Sequence, residues 1–154
     1  VRKSQAEAFR KALIEAGNRI DYNQAAANGL SSTVSVPDSC QITHIEHIEV
    51  TLTASNADGS DEHPSAGDLH ITLQSPLGSV STLSVPHPCQ LPTDGGPMQI
   101  GPCQGLQNYP FGVRRHLEEP VAQGSNRNWT LSATDRVAGE AGRLKDWSIT
   151  FYGR

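Results

Sequence analysis

The segment NRNWTLSATDRVAGEAGRLKDWSITFYG, Asn126–Gly153, contains both tryptophans of the chain. On each side of a Gly-rich turn, apolar and polar residues alternate, which is the period of a β-strand. The apolar faces are formed by Trp129, Leu131 and Ala133, and by Trp147, Ile149 and Phe151. We expect the two strands to pair in antiparallel fashion, so that both indole rings enter the core and supply much of its buried apolar area. The functional alternative for the two rings is stacking on a carbohydrate.

Upstream segments show the same two-residue period from Ile42 onward. The runs HIEVTLTA (47–54) and DLHITLQSP (68–76) place aliphatic side chains on one face and polar ones on the other, and SVSTLSV (79–85) is shorter and less regular. Turn-forming residues, not helices, separate these runs. Short strands of even spacing predict an all-β fold, a β-sandwich of jelly-roll type.

One segment near the start of the chain has a different period. In SQAEAFRKALIEAG, Ser4–Gly17, the side chains of Phe9, Leu13 and Ile14 fall on one helical face, and Gly17 supplies a stop. The sequence therefore predicts one short helix followed by a linker. We expect residues 1–34 to form this helix and linker, and residues 35–154 to form the sandwich.

Charge and composition exclude several classes of partner. The chain has 154 residues, a net charge of −4 and no stripe of Lys or Arg, so a nucleic acid is not an expected partner. No apolar run approaches the roughly 18 residues that span a bilayer, so no membrane span is expected. The chain shows no signal-peptide pattern and begins at Val1, which we interpret as a fragment of a longer protein.

Cys89 and Cys103 bracket a loop rich in Pro and Gly, CQLPTDGGPMQIGPC. A disulfide between them would stabilise the domain by about 3 kcal/mol if chain entropy is the main contribution. Two alternatives stay open: all three cysteines are reduced, or Cys40 is the partner of one of the other two. CxxC spacing is absent and the histidines are scattered, so no structural zinc site is expected.

No residue of this chain is assigned a catalytic role. A hydrolase needs a nucleophile, a base and a group that orients the base, and the sequence has neither a GxSxG elbow nor a cysteine in a protease context. We expect His44, His47 and His70 to lie mostly on outward strand faces. Glu118 and Glu119 are adjacent, which indicates a solvated turn, not a pair of glycosidase carboxylates.

Acidic loops offer a candidate Ca²⁺ site, the one cofactor that the residues suggest. The loop NADGSDEHPSAGD (56–68) and the turn after the Trp129 strand supply hard oxygen ligands, although no EF-hand spacing occurs. Asp68 is the first candidate ligand and Asp135 the second; the others are Asp58, Asp61, Glu62 and Glu140. The alternative for Asp68 is structural, because its carboxylate can accept hydrogen bonds from loop amides at a strand entrance.

Five motifs in a fixed order resemble the P domain, or Homo B domain, of kexin- and furin-type proprotein convertases and of bacterial subtilisin-like serine proteases. They are the strand entry Gly67-Asp68-Leu69, the turn Ser75-Pro76-Leu77-Gly78, the strand Trp129-Thr130-Leu131, a Gly-rich turn, and the strand Trp147-Ser148-Ile149-Thr150-Phe151. The resemblance covers the chain from about Ser35 to Gly153.

This resemblance implies a non-catalytic domain that packs against a protease domain and supports its folding and stability. The catalytic residues would then lie in an upstream domain of the same polypeptide. Residues 1–34 would form the last part of that domain. An extracellular or cell-envelope location follows from the same resemblance. The rival hypothesis is a binding module, for carbohydrate or a protein ligand, on the same sandwich.

The segment YPFGVRRHLEE, Tyr109–Glu119, is the predicted interface with the upstream catalytic domain. It joins two aromatic residues, Tyr109 and Phe111, to Arg114 and Arg115, and these residue types are enriched at the energetic centres of interfaces. The alternative is that Phe111, Val113 and Leu117 complete the core. Both can hold, because alternate side chains of a strand face opposite ways.

Overall fold

Strands make up the regular structure of the described residues, and no helix occurs among them. The computed structural model describes residues 5–12, 19–20, 30–56, 69–85, 89–91, 95–96, 99–101, 109–135 and 142–154. The strands are β1 (Gln5–Ala12), β2 (Arg19–Ile20), β3 (Leu30–Ser35), β4 (Ile45–Asn56), β5 (Leu69–Gln74), β6 (Val80–Ser84), β7 (Cys89–Leu91), β8 (Gln99–Gly101), β9 (Tyr109–Val113), β10 (Asn128–Asp135) and β11 (Gly142–Gly153).

Two antiparallel sheets form the body of the domain. Sheet A has the order β1-β11-β4-β9, with β2 also paired to β11, and sheet B has the order β3-β10-β5-β6. The short strands β7 and β8 pair with each other. The predicted all-β sandwich is therefore confirmed.

The core lies between the sheets and is built by the alternation that the sequence shows. Alternate residues point inward over residues 48–52, 69–73, 129–133 and 147–151, and those side chains are nearly or completely buried. The largest of them are Trp129, Trp147, Phe151, Ile48, Leu52, Leu69, Ile71, Leu73 and Leu131. Both tryptophans are thus core residues as predicted, and neither indole can stack on a sugar.

The predicted pairing of the two tryptophan strands is wrong. β10 pairs with β3 and β5 in sheet B, whereas β11 pairs with β1, β2 and β4 in sheet A. The chain therefore changes sheets between Asp135 and Gly142. Trp129 and Trp147 enter the core from opposite sides, and the Trp147 indole N–H donates across it to Ser32 Oγ on β3, at 2.8 Å.

The predicted N-terminal helix is also wrong, because Gln5–Ala12 forms strand β1. β1 pairs with β11 along its whole length, from Gln5 opposite Gly153 to Ala12 opposite Asp146. Phe9 packs against the core, with its ring centroid 6.1 Å from that of Phe151. Helix propensity contributes only tenths of a kcal/mol per residue, so pairing and packing at a sheet edge outweigh it. Leu13, Ile14 and Gly17 lie outside the described residues.

Candidate functional site

Among the described strands, β6 and β9 are the edge strands that face each other on one flank of the sandwich. These are the last strands of sheets B and A in the described part of the chain, and a groove of about 250 Å³ separates them. We call it the edge groove; its apolar lining is Val80, Leu83, Phe111 and Val113, and its polar lining is Ser81, Thr82, Arg114 and Arg115, with Gly112 between.

The two aromatic residues of β9 lie on the same face of the strand, and Phe111 lines the groove. Val113, Phe111 and Tyr109 lie opposite the inward-facing Ile48, Val50 and Leu52 of β4, so they share the inner face of sheet A. Burial falls along the strand, from buried Val113 through half-buried Phe111 to Tyr109, which is 48% exposed. The rings of Tyr109 and Phe111 are tilted against each other at a centroid distance of 5.0 Å. Core-forming and surface-forming roles therefore coexist on this strand.

Arg114 and Arg115 follow β9 directly and are both exposed. Neither makes an ion pair or a side-chain hydrogen bond with another described residue. The chain then turns, with the Leu117 N–H donating to Arg114 O at 3.1 Å. Leu117 is 55% exposed, so it does not complete the core as the alternative interpretation expected.

The turn beyond the arginines contains a buried polar network that the sequence analysis missed. His116 is fully buried, and its Nε2 lies 2.5 Å from Ser81 Oγ on β6. On the other side of the ring, Nδ1 lies 3.2 Å from Glu119 Oε2. The ring also meets Trp129 edge-on at a centroid distance of 5.1 Å. Ser81 and His116 are far apart in sequence, so only the folding of β6 against this turn brings them together.

This network joins a hydroxyl, an imidazole and a carboxylate. Because a carboxylate only accepts hydrogen bonds, Nδ1 of the neutral ring donates to Glu119, and Nε2 accepts from the Ser81 hydroxyl. Burial lowers the pKa of His116 below its ordinary value, and the nearby Glu119 opposes this effect. Ser81 is also nearly buried, although it lines the groove. The network therefore ties β6 to the turn.

A second cavity, of about 400 Å³, lies beside the connection between β3 and β4, near Cys40. Arg127 organises its wall: Nε donates to Val36 O at 2.5 Å, and one terminal nitrogen donates to Pro37 O and Cys40 O at 2.8 and 2.9 Å. Cys40 is a free, buried cysteine. Burial raises the pKa of its thiol, which makes it a poor nucleophile.

The candidate calcium and disulfide residues fall largely outside the described residues. Asp68 and Cys103 are not described, and for Asp135 and Cys89 only the backbone is, at the end of β10 and the start of β7. The described residues hold no group of three metal-binding side chains, and no helix among them could cross a membrane. His44 is exposed, and His47 and His70 are partly exposed.

Comparison with known proteins identifies relatives of this sandwich. The sequence model of the proprotein convertase P-domain family matches residues 45–151. Human proprotein convertase subtilisin/kexin type 6 is 30% identical to the chain over 118 residues, and its rat counterpart is 29% identical over the same length. These matches cover 73% of this chain but only 10% of the relatives, so the chain corresponds to a small part of them.

Solved structures agree on the fold. The serine protease of Aeromonas sobria superposes on the whole chain with a TM-score of 0.72 at 16% identity, and the match covers 28% of that protein. The same protease in complex with the chaperone ORF2 gives a TM-score of 0.71. The family match, the convertase relatives and the sandwich architecture lead to one conclusion: the chain belongs to the proprotein convertase P-domain family.

Proposed function

We propose that this chain is the non-catalytic C-terminal P domain of a subtilisin-like serine endopeptidase of kexin/furin type. Its role is to support the folding and stability of the adjacent protease domain. Membership of the P-domain family supports this role, and so do convertase relatives about ten times longer than the matched segment. The same resemblance supports an extracellular or cell-envelope location. In this arrangement the P domain includes β1, β2 and β3 as well as residues 35–154, because these three strands already belong to the two sheets.

The edge groove is the observation that carries the proposal. It lies between two strands that are edges among the described residues, and it places half-buried Phe111 beside two arginines that lack described partners, with exposed Tyr109 packed on the Phe111 ring. Loops and edges on a rigid sheet scaffold commonly carry function, and aromatic residues with Arg dominate interface energies. The groove therefore suits contact with the upstream catalytic domain through Tyr109, Phe111, Arg114 and Arg115.

The test compares one substitution in two proteins. Arg114→Ala should change the melting temperature of this chain by no more than about 1 °C, since exposed residues without partners contribute little to stability. In the full-length polypeptide it should shorten the half-life of peptidase activity at elevated temperature. Lys145→Ala, which removes an exposed cation of β11 outside the groove, serves as the control and should affect neither protein. An equal loss of stability in both proteins would assign Arg114 to the fold of the domain and refute the docking role.

A further inference from the structure

We propose that the edge groove binds an extended, acidic segment of its partner, which pairs with β6 and places carboxylates on Arg114 and Arg115. The inference deepens the proposed function. It rests on that function because it assigns the acidic segment to the adjacent protease domain. The chemistry of the occupant follows from three properties of the groove: its edges, its apolar rims and its charge.

The edges favour an extended chain. Among the described strands, β6 pairs only with β5, and β9 pairs only with β4, so each sheet presents one unpaired edge to the groove. Pro110 lies within β9 and has no N–H to donate, which weakens that edge as a pairing site. β6 contains no proline. A strand added to β6 would satisfy its backbone groups by the mode that many peptide-binding domains use.

The rims offer apolar contacts at both walls. Val80 of β6, which exposes 49% of its surface, lines the groove together with half-buried Leu83 and Phe111, and Tyr109, 48% exposed, packs on the Phe111 ring. Successive side chains of an extended segment point to opposite sides, so an apolar residue at every second position can use these contacts. The hydrogen bond from Ser81 to His116 holds β6 against the turn before any partner arrives, which lowers the ordering cost of binding.

The charge of the groove selects acidic partners. Among the described residues that line it there is no carboxylate, and the charged ones are Arg114 and Arg115. The acidic residues of the same turn are engaged elsewhere: Glu118 pairs with Arg154 at 3.7 Å, and Glu119 holds His116. In the described part of the chain no carboxylate therefore neutralises the two arginines, although the whole chain carries a net charge of −4. Carboxylates of a partner can engage the guanidinium groups in two-point hydrogen bonds.

The experiment titrates this chain with two fluorescent peptides, one alternating Glu and Leu and the other alternating Lys and Leu. We expect the Glu–Leu peptide to bind, the Lys–Leu peptide to bind at least about tenfold more weakly, and added salt to weaken the first complex. The double substitution Arg114→Glu with Arg115→Glu should lower affinity for the Glu–Leu peptide at least about tenfold. Lys11→Glu with Lys145→Glu makes the same change in net charge on exposed residues outside the groove and should keep the affinity.

Equal binding of both peptides, or loss of binding in the control pair alone, would refute the charge selection. Absence of binding would refute the groove as a peptide site, and a mass that rises with protein concentration would assign the groove to a second copy of the chain. Folding of each variant is checked by near-ultraviolet circular dichroism. The outcome is separable from the proposed function: Arg114→Ala can destabilise the full-length protein through a docking surface that is not acidic.

Discussion

The rings of Trp129 and Phe151 meet across the core at a centroid distance of 5.0 Å, although their strands belong to different sheets. Trp129 comes from β10 in sheet B and Phe151 from β11 in sheet A. Tilted aromatic pairs of this kind add about 0.5–1.5 kcal/mol to the energy of burial alone. The indole N–H of Trp129 also donates to Val121 O, so the ring is held at both its apolar and its polar side. The two tryptophans therefore form contacts between the two sheets, not within one hairpin.

Trp147→Ala should lower the free energy of unfolding by about 3–5 kcal/mol, the range for deleting a large buried aromatic side chain. The substitution removes a fully buried ring and also the hydrogen bond to Ser32 Oγ across the core. Chemical denaturation followed by circular dichroism measures the loss. Trp147→Phe keeps most of the volume and should cost less, and Ser32→Ala should cost about 1 kcal/mol by itself. A melting temperature of Trp147→Ala close to that of the parent would contradict the buried position.

The inward faces of the strands could be predicted from the sequence because the alternation is a local property. Ile48, Leu69, Trp129 and Trp147 would point inward whichever strands paired. The pairing itself could not be predicted, since a strand of either sheet shows the same alternation. The error at β1 has the same origin: its helical pattern is local, whereas its partner β11 lies more than 130 residues further along the chain.

The candidate site, too, could be predicted only in part from the sequence. Tyr109, Phe111, Arg114 and Arg115 could be selected from the sequence because they form one short run with interface composition. His116 lies in that run, yet nothing local marks it as buried. Its defining partner, Ser81, is a serine of an irregular strand, and only the packing of β6 against the turn reveals the contact.

Gly153→Ala should destabilise the domain by about 1–3 kcal/mol, the cost of forcing extra volume into a packed site. A Cβ at Gly153 would overlap the carbonyl oxygen of His44 and come within 2.9 Å of Ile42 Cγ2. The oxygen belongs to the backbone, so it cannot move aside at low cost. Thermal denaturation measures the change.

Gly112→Ala is the matched control for that substitution. Its Cβ would lie 3.3 Å from Cε1 of His47, a side chain that can shift, and the residue is exposed. Alanine also restricts the unfolded chain, so stability should stay within about 1 kcal/mol of the parent. If the two alanine variants had the same melting temperature, the close approach of Gly153 to His44 would be disproved.

Ser81 should not react with a fluorophosphonate probe, although it shares a hydrogen bond with an imidazole that also contacts a carboxylate. Both Ser81 and His116 are buried, so an electrophile cannot approach the hydroxyl in the folded domain. Labelling is measured by mass spectrometry, with an active serine protease as the positive control. Ser81→Ala should instead lower stability by about 1–3 kcal/mol, because His116 loses a buried hydrogen-bond partner. Labelling of the parent that disappears in Ser81→Ala would contradict this assignment.

His116 should make the domain less stable as the pH falls below about 6.5, the ordinary pKa of histidine. Burial lowers the pKa of His116 in the folded state, so between that lowered pKa and 6.5 the unfolded chain binds more protons than the folded one. The contribution of His116 to stability therefore rises with pH across this window. It is complete above the window and does not fall further below it. One proton gives a slope of at most about 1.4 kcal/mol per pH unit.

The groups that face His116 are Glu119 and Arg115 of its own turn, uncharged Ser81 of β6 and the Trp129 ring of β10. The pH dependence of unfolding is therefore measured for the parent, for His116→Gln and for His44→Gln, which changes an exposed histidine. His116→Gln should be less stable at neutral pH, and the gap to the parent should narrow as the pH falls, because only the parent carries the titrating ring. His44→Gln controls for the exchange of a histidine for glutamine at an exposed position. If the difference in unfolding free energy between the parent and His116→Gln stays constant from about pH 8 to about pH 5, the buried ring does not govern acid stability.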